Sequence, residues 1–598
     1  MQPVDFTTLM ATCAELRQHW LPARCEQVVQ RDVTTVAIAL RTLSGRGWLT
    51  LSWHPQGARL HIGEAPPKGP DTFTFSQQLK HQLNGLALVA IAPLAPWERA
   101  LDLQFARRPG DPVQWHLYVE IMGKYSNVIL VNDRQQIVTA AHQVTEHQSS
   151  LRPILTGDPY VPPPVVRGPF PHLAETQARW QERVALVPAP LKKALLSAYS
   201  GLSSALAIQL IHGADLSPQQ PTDTLTPGDW QQLFGQWQRW LQILAAETFA
   251  PAWTPTGYTV IGDLGEGAAA PALTVQTLLR DYYTAELNQQ TFSRLHHQLS
   301  QTLKARLHKL GVKAAGFRDR LDLAIQADHY RQQADLLMAY SHQWQPGQTT
   351  LTLADFETGA PVAIPLDPEK NAVQNAQAFY KKHQKLKRSR QAIAPLLTAV
   401  QEEIAYLEQN DAALQQMTRY ETTTDLDALG EIRDELIQQG YLADASYRPK
   451  TPTPGDDSSL RKFALASGKA VWVGRNNRQN DWLISRFATD YDLWFHTQEI
   501  PGSHVLLRLN PGEVASDRDL QATADLAAYY SRAQQADQVP VIYTEPRHVY
   551  KPKGARPGMV IYKHERVLWG QPQRAKVWQN QSLTTTPAQP DPALAATP

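Results

Sequence analysis

Two neighbouring stretches hold the side chains best suited to chemistry. In the first, Arg475, Asn476, Asn477, Arg478, Gln479 and Asn480 follow the strand-like run Val471–Val473; in the second, Trp494, Phe495 and His496 precede a Pro501-Gly502 turn. Amides and guanidinium groups donate hydrogen bonds in forks and aromatic rings offer flat faces, a mixture that suits splayed RNA bases and their backbone. Acid–base catalysis by Asp481, Asp492 and His496 is the rival reading, but no convincing nucleophile accompanies them. His496 and His504 lie on different elements with no third His or Cys nearby, so neither a metal nor any other cofactor is expected. Farther on, Lys551, Lys553 and Arg556 stand on a Pro/Gly-stiffened loop fit to meet phosphate.

Three further groups could carry binding chemistry. Six Lys/Arg crowd residues 381–390, with no Asp or Glu between Lys370 and Glu402, and Phe379 and Tyr380 stand beside them. This run is either a solvated helix face or a phosphate contact. Glu98 and Arg99 open a strand: they form either a surface ion pair or an acceptor and forked donor able to read a base edge and clamp a phosphate. The turn from Glu120 through Ile121, Met122, Gly123 and Lys124 reads as a polar hairpin loop.

The elements that must position these groups fall into a multidomain α+β order. Between about Leu278 and Gln415, Leu303, Leu307, Leu310, Ala314, Phe317, Leu321 and Ala324 keep a heptad beat, as do Ile393, Leu397, Val400, Ile404, Leu407 and Leu414. Two long helices therefore fold back as an antiparallel coiled-coil arm over 278–418; a helix of ~65 residues would reach ~100 Å at ~1.5 Å per residue. Turn signals at Gln345-Pro-Gly-Gln and Thr358-Gly-Ala-Pro, around an alternating Thr349–Leu353, place a small β-containing insert at 345–368. Residues 1–170 read as mostly β: Val33–Leu40 and Trp48–Trp53 flank a Gly-rich turn, and Val113, Trp115, Leu117, Val119 and Ile121 alternate with polar neighbours as a half-buried strand, followed by a hairpin around Asn132-Asp133. Short helices fill 171–250, where Gly201 could turn a helix-hairpin-helix whose backbone N–H groups meet phosphate. A connecting helix and a Pro/Thr/Ser linker occupy 419–460, an α/β domain 461–577, and a disordered Thr/Pro/Ala tail 578–598.

Bulk numbers set limits. With 57 Lys+Arg against 56 Asp+Glu the net charge is +1, so no global field drives nucleic-acid binding and any such binding is local. Cys13 and Cys25 are the sole cysteines, too few for a disulfide framework or structural zinc. With neither a secretion signal nor an 18-residue apolar stretch, a soluble cytoplasmic protein with no membrane partner is expected.

Taken together, Gly474–Asp481, Asp492–His496, Ile500–Val505 (with Ser503 and His504) and Lys551–Gly558 resemble the RNA-binding domain of the NFACT family, and Glu120–Leu130, Ile364–Pro368 and Asn375–Gln377 match the rest of that family's pattern. The resemblance covers the chain to about residue 577. It implies an N-terminal domain folded like that of formamidopyrimidine-DNA glycosylases, then a helix-hairpin-helix, the coiled coil and the RNA-binding domain. It also implies an accessory factor rather than an enzyme. Members bind the large ribosomal subunit that still holds peptidyl-tRNA after a stall, and recruit an aminoacyl-tRNA, alanyl-tRNA in bacteria, for template-free tailing that marks the chain for proteolysis. The family's tRNA-binding Asp-Arg pair falls on Glu98-Arg99, where Glu departs from the pattern by a methylene. By analogy, rRNA contact falls to Lys381, Lys382, Lys385, Lys387, Arg388, Arg475, Asn476, Arg478, Asp492, Trp494, His496, Ser503, His504, Lys551 and Lys553. No DNA partner is implied. Two other classes stay open: a fibronectin-binding surface adhesin, as relatives have been described, and a glycosylase/lyase, whose nucleophile would be an exposed N-terminal Pro where this chain has Gln2 before Pro3.

Overall fold

The computed structural model describes residues 1–579 apart from 68, 150, 165–166, 263–272, 446 and 448–458. The expected Pro/Thr/Ser linker, but for its last residue, and the tail from residue 580, expected to be disordered, lie outside the described residues. Contacts divide the chain into two units, Met1–Leu287 and Asn288–Pro598.

In the first unit, helix α1 (Phe6–Trp20) precedes strands β1 (Ala23–Asp32), β2 (Thr35–Arg41), β3 (Arg46–Ser52) and β4 (Arg59–Gly63), then α2 (Thr74–Leu83) and β5 (Ala87–Pro93), β6 (Ala100–Ala106), β7 (Trp115–Glu120), β8 (Asn127–Asn132) and β9 (Ile137–Ala140). The nine strands form one sheet in the order β4-β3-β2-β1-β5-β6-β7-β8-β9. Its apolar face packs on α1 and α2 through Leu9, Cys13, Leu16, Phe75 and Leu79. Residues 113–121 alternate, which suggests a strand wetted on one side, yet Tyr118 and Glu120 are buried too. The segment carrying Ile154 and Tyr160 covers that second face with its own small core.

Four helices follow, α3 (Gln177–Val184), α4 (Leu191–Ala198), α5 (Ser204–His212) and α6 (Pro227–Ala246), with the short strands β10 (Ala252–Thr254) and β11 (Gly257–Thr259). Thr226 and Asp229 cap α6 reciprocally and Pro227 starts it, which sets its first turn. Trp180, Trp230, Trp237 and Trp240 form its buried contact.

The arm is built from α7 (Val275–Ile325), α8 (Ala327–Ala339) and α9 (Ala372–Gln415), with the hairpin β12 (Thr350–Ala354) and β13 (Pro361–Pro365) between α8 and α9. The first stretch is thus two helices of 51 and 13 residues, parted at Gln326, rather than one. Asn288 meets Tyr420, His296 the Leu414 carbonyl, Asp328 faces His383 and Asp335 Tyr380. One partner number rises as the other falls, so the helices run antiparallel. Among the seam residues Leu303, Ala314, Ala324, Ile393, Val400, Leu407 and Leu414 are buried, and along the outer part of the arm the residues flanking Ala314, Ala324, Ile393 and Val400 are exposed. At its base the pair packs on α10 (Thr423–Gln438) through Ala428, Leu429, Ile432 and Leu436.

The rest of the second unit holds β14 (Arg461–Ala464), β15 (Ala470–Val473), α11 (Asn477–Trp482), β16 (Leu493–Thr497), β17 (Val505–Leu507), α12 (Asp517–Tyr529), β18 (Val539–Thr544), β19 (Val549–Tyr550), β20 (Ile561–Tyr562), β21 (Arg566–Gly570) and α13 (Pro572–Gln579). Six strands form an antiparallel sheet ordered β14-β15-β17-β16-β18-β21. Helix α12 covers one face, and the ribbon of β19 and β20 covers part of the other over Trp494, Leu506 and Ile542.

Candidate nucleic-acid interfaces

Glu98 and Arg99 sit in the turn between β5 and β6, where Trp97 adopts φ 63° and the Glu98 N–H closes on the Ala95 carbonyl. Trp97 is wedged between Phe6, Phe170 and Trp240. Gly201, in the turn between α4 and α5, passes so close that a Cβ there would lie 2.8 Å from the Trp97 ring, at a backbone φ of 89° that favours glycine. The packing fixes the turn and leaves Glu98 buried and Arg99 half-buried, with an Arg99 Nη1 contact of 3.4 Å to the Val4 carbonyl. The pair is therefore set into the fold rather than a loose surface ion pair.

The 120–124 loop divides in two. Glu120 and Ile121 are buried, and the Glu120 carboxylate accepts two bonds from Arg152, 2.8 and 2.5 Å, and one from the Tyr160 hydroxyl, 2.9 Å. Tyr160 in turn stacks on Tyr118 with ring centroids 3.9 Å apart. Gly123, at φ 60°, and Lys124 are exposed on a short 3-10 turn, tied by Ser126, which accepts from the Met122 N–H and donates to the Gly123 carbonyl. Lys124 lies 4.9 Å from the ring of Tyr125, itself 72% exposed. The loop thus presents a cation and a ring on a buried acidic anchor.

On the arm, Lys381, Lys382, Lys385, Lys387 and Arg388 all stand exposed on α9. Lys382 covers the Tyr330 ring at 4.1 Å. Exposed cations on one helix can meet successive phosphates, and the run itself holds no acidic residue, although Asp328 and Asp335 of α8 face His383 and Tyr380 beside it.

In the last domain, most of the polar side chains expected to face RNA turn inward. Arg475 pairs with Asp425 of α10, and burial, followed by the charge of Arg461, holds its guanidinium below the usual range. Asn476 caps α11 by accepting from the Gln479 N–H at 3.0 Å and donates to Glu431 at 2.8 Å. Asp492, fully buried, accepts from the Thr489 and Leu509 N–H groups and from Arg508. Trp494 is fully buried against His496 and His504. Burial lowers the basicity of both imidazoles, most strongly that of His504. Ser503 is buried, with its backbone N–H donating to Tyr530. Of the residues expected to meet rRNA, Asn476, Asp492, Trp494, Ser503 and His504 are buried and Arg475 half-buried; Arg475 and Asn476 hold the domain to α10, whereas Trp494 Nε1 and His504 Nδ1 have no hydrogen-bond partner among the described residues. Arg478 is half-buried, while Lys551 and Lys553 are exposed. Lys551 pairs with Asp481.

Sequence reasoning missed Arg152, 32 residues from the Glu120 it neutralises, and Glu435, which collects Tyr406, Asn410 and Asn477. Only three-dimensional pairing exposes them. Both cysteines are buried and unpaired, with burial pushing each thiol up to about 12. Among the described residues no group of three or more His, Cys, Asp or Glu could hold a metal ion, and no helix is long and apolar enough to cross a membrane.

Residues 5–453 match the family model described as NFACT N-terminal and middle domains, and residues 460–564 match the NFACT protein RNA binding domain. The Rqc2 homolog RqcH of Streptococcus suis is 29% identical over 574 residues, spanning 94% of this chain and 97% of that protein. Its counterpart in Bacillus subtilis is 27% identical over 569 residues, spanning 93% and 96%. A solved structure of the C-terminal part of the fibronectin/fibrinogen-binding protein from Streptococcus suis is 28% identical and covers 48% of this chain and 98% of its own, at a TM-score of 0.36, too low to carry an argument.

Proposed function

Because the chain belongs to the NFACT family, we propose that it works in ribosome quality control: it binds large ribosomal subunits that still carry peptidyl-tRNA after a stall. It recruits a tRNA, alanyl-tRNA in this reading, for template-free extension of the nascent chain, which marks that chain for degradation. The observation that carries the proposal is the end-to-end likeness to the RqcH proteins, 94% of this chain against 97% of the relative, with a matched RNA-binding domain. In this reading the protein is an accessory factor in the cytoplasm, and the ribosome's own peptidyl transferase forms the bonds.

The geometry supports a division of labour. The exposed cations of α9 serve rRNA phosphates, and the wedged Glu98-Arg99 turn with the Lys124 loop serves tRNA. Wedging gives a donor fork the fixed aim that base or phosphate recognition demands. Surface adhesion and glycosylase/lyase chemistry are not favoured. Sucrose-gradient profiles at two salt concentrations, with sequencing of the co-purified RNA, test the proposal. The protein should travel with free large subunits, bring tRNA with it, and release steeply as salt rises. A protein that stays at the top of the gradient at low salt overturns it.

A further inference from the structure

The ribbon of β19 and β20 sorts its residues by face. Val549 and Tyr562 point to the core around Trp494 and Ile542, whereas the cross-strand pair Tyr550 and Ile561 is 47% and 55% exposed. Lys563, two residues beyond Ile561 and on its face, brings its Nζ to 5.9 Å from the Tyr550 ring. Lys553 stands exposed on the loop that joins the two strands. Lys551 is exposed as well, but its ammonium is occupied by Asp481.

Resting on the RNA-binding reading above, we infer that this outer ribbon face is a stacking platform for an unpaired RNA base, with Tyr550 as the ring and Lys563 and Lys553 as the phosphate contacts. A solvent-facing aromatic flanked by exposed ammonium groups is what a nucleotide needs, a flat surface for the base and cations for its phosphates. Duplex RNA keeps its base faces stacked inside the helix and offers nothing to the ring, so the partner is a loop, bulge or single-stranded end. The competing explanation is local: a Tyr–Ile cross-strand pair supports a ribbon with strands of only two residues, a small stabilising effect.

Fluorescence anisotropy of the full chain with an unstructured RNA oligomer and with a duplex of equal length separates these accounts. Tyr550→Ala should weaken the unstructured RNA by roughly 5- to 150-fold, the span for losing one stacked base. Duplex affinity should stay unchanged, and Tyr550→Phe should retain binding. Lys563→Ala should lower the salt slope for the unstructured RNA by about 0.7, one phosphate contact. Circular dichroism confirms that each variant is folded, and Tyr550→Phe keeps the test decisive should Tyr550→Ala unfold. A folded Tyr550→Ala that binds unstructured RNA like the parent overturns the platform, as it would if the exposed pair served a protein partner or only the ribbon; so does loss of binding in Tyr550→Phe. If the parent chain binds neither RNA and does not sediment with large subunits, the broader reading fails instead.

Discussion

Replacing Glu435 with Gln should stabilise this protein at neutral pH, contrary to the usual effect of altering a buried, hydrogen-bonded residue. The carboxylate of α10 is buried, and its Oε1 accepts from the Tyr406 hydroxyl at 2.6 Å, Asn477 at 3.0 Å and Asn410 at 3.3 Å. Among the described residues its Oε2 has no hydrogen-bond partner, nor do the Oδ1 atoms of Asn410 and Asn477. Three buried acceptors on this linked set of residues thus go without a donor among the described residues, and burial raises the acid's pKa above its usual range. Glu435→Gln keeps the carbonyl that takes the three bonds and turns the other terminus into an NH₂ able to donate to an orphaned amide oxygen. Relieving an unsatisfied buried acceptor and removing a buried charge should be worth roughly 1–3 kcal/mol. The pH dependence has a definite sign. A folded-state pKa above the unfolded value means that the folded protein binds the proton more tightly, so the parent's penalty is present above the folded pKa and disappears as pH falls toward the unfolded value. The margin favouring Glu435→Gln should therefore be largest at pH 7.5 and shrink toward pH 5. Urea unfolding at both pH values, with hydrogen exchange to locate the change in α9 and α10, measures it. A variant less stable than the parent at pH 7.5, or a margin that grows on acidification, refutes the reasoning.

Arg152→Ala should cost the first unit about 3–5 kcal/mol, because it leaves Glu120 buried with the Tyr160 hydroxyl but no counter-charge; weaker amide protection in β7 and β8 would register it. Changing Lys381, Lys382 and Lys385 together to Ala should leave the thermal melt nearly unchanged, since all three are exposed, yet lower the salt slope of large-subunit co-sedimentation by about 2–3, near 0.9 for each phosphate no longer neutralised. Arg99→Ala should abolish tRNA co-purification while large-subunit rRNA is still recovered, provided that the melt shows the variant folded without its bond to the Val4 carbonyl; normal tRNA recovery from a folded variant would remove this site from the proposal.

The long elements were legible because a helix pair writes itself as a heptad beat. Leu303, Ala314 and Ala324 on one side and Ile393, Val400 and Leu407 on the other are buried as their spacing requires. The break at Gln326 was not, because neither Pro nor Gly marks it and the apolar beat continues through Ala324 to Ala327. Strand alternation located β7 but misjudged its outer face, since Tyr118 and Glu120 look solvent-facing until the segment bearing Arg152 and Tyr160 returns to cover them. The exposure of the basic run on α9 was legible from sequence, because long charged side chains stay in solvent without needing a partner to be recognised. The burial of the Asn/Arg-rich stretch was not, because composition cannot tell a polar side chain that meets solvent from one that meets another polar side chain.

That last ambiguity bears on how the second unit is held together. Arg475, Asn476 and Asn477 reach Asp425, Glu431 and Glu435 on α10, while Gln409 of α9 donates to the Gly502 carbonyl at 2.5 Å and accepts from its N–H at 3.2 Å. Position 502 has no room for a side chain, because a Cβ there would lie 2.9 Å from Ser531. Gln416 adds bonds to the Tyr529 and Ser531 carbonyls, and Glu408 pairs with Arg532. Apolar packing would hold the arm and the RNA-binding domain together without fixing their register, whereas directional bonds to backbone atoms fail after a small slide. A polar join therefore fixes how the exposed cations of α9 stand relative to the ribbon face of β19 and β20, and it turns the amides and guanidinium of 475–477 inward. On the proposed reading, the side chains of the second unit that remain outside to meet RNA include the lysines of α9, Lys553, Lys563 and Tyr550.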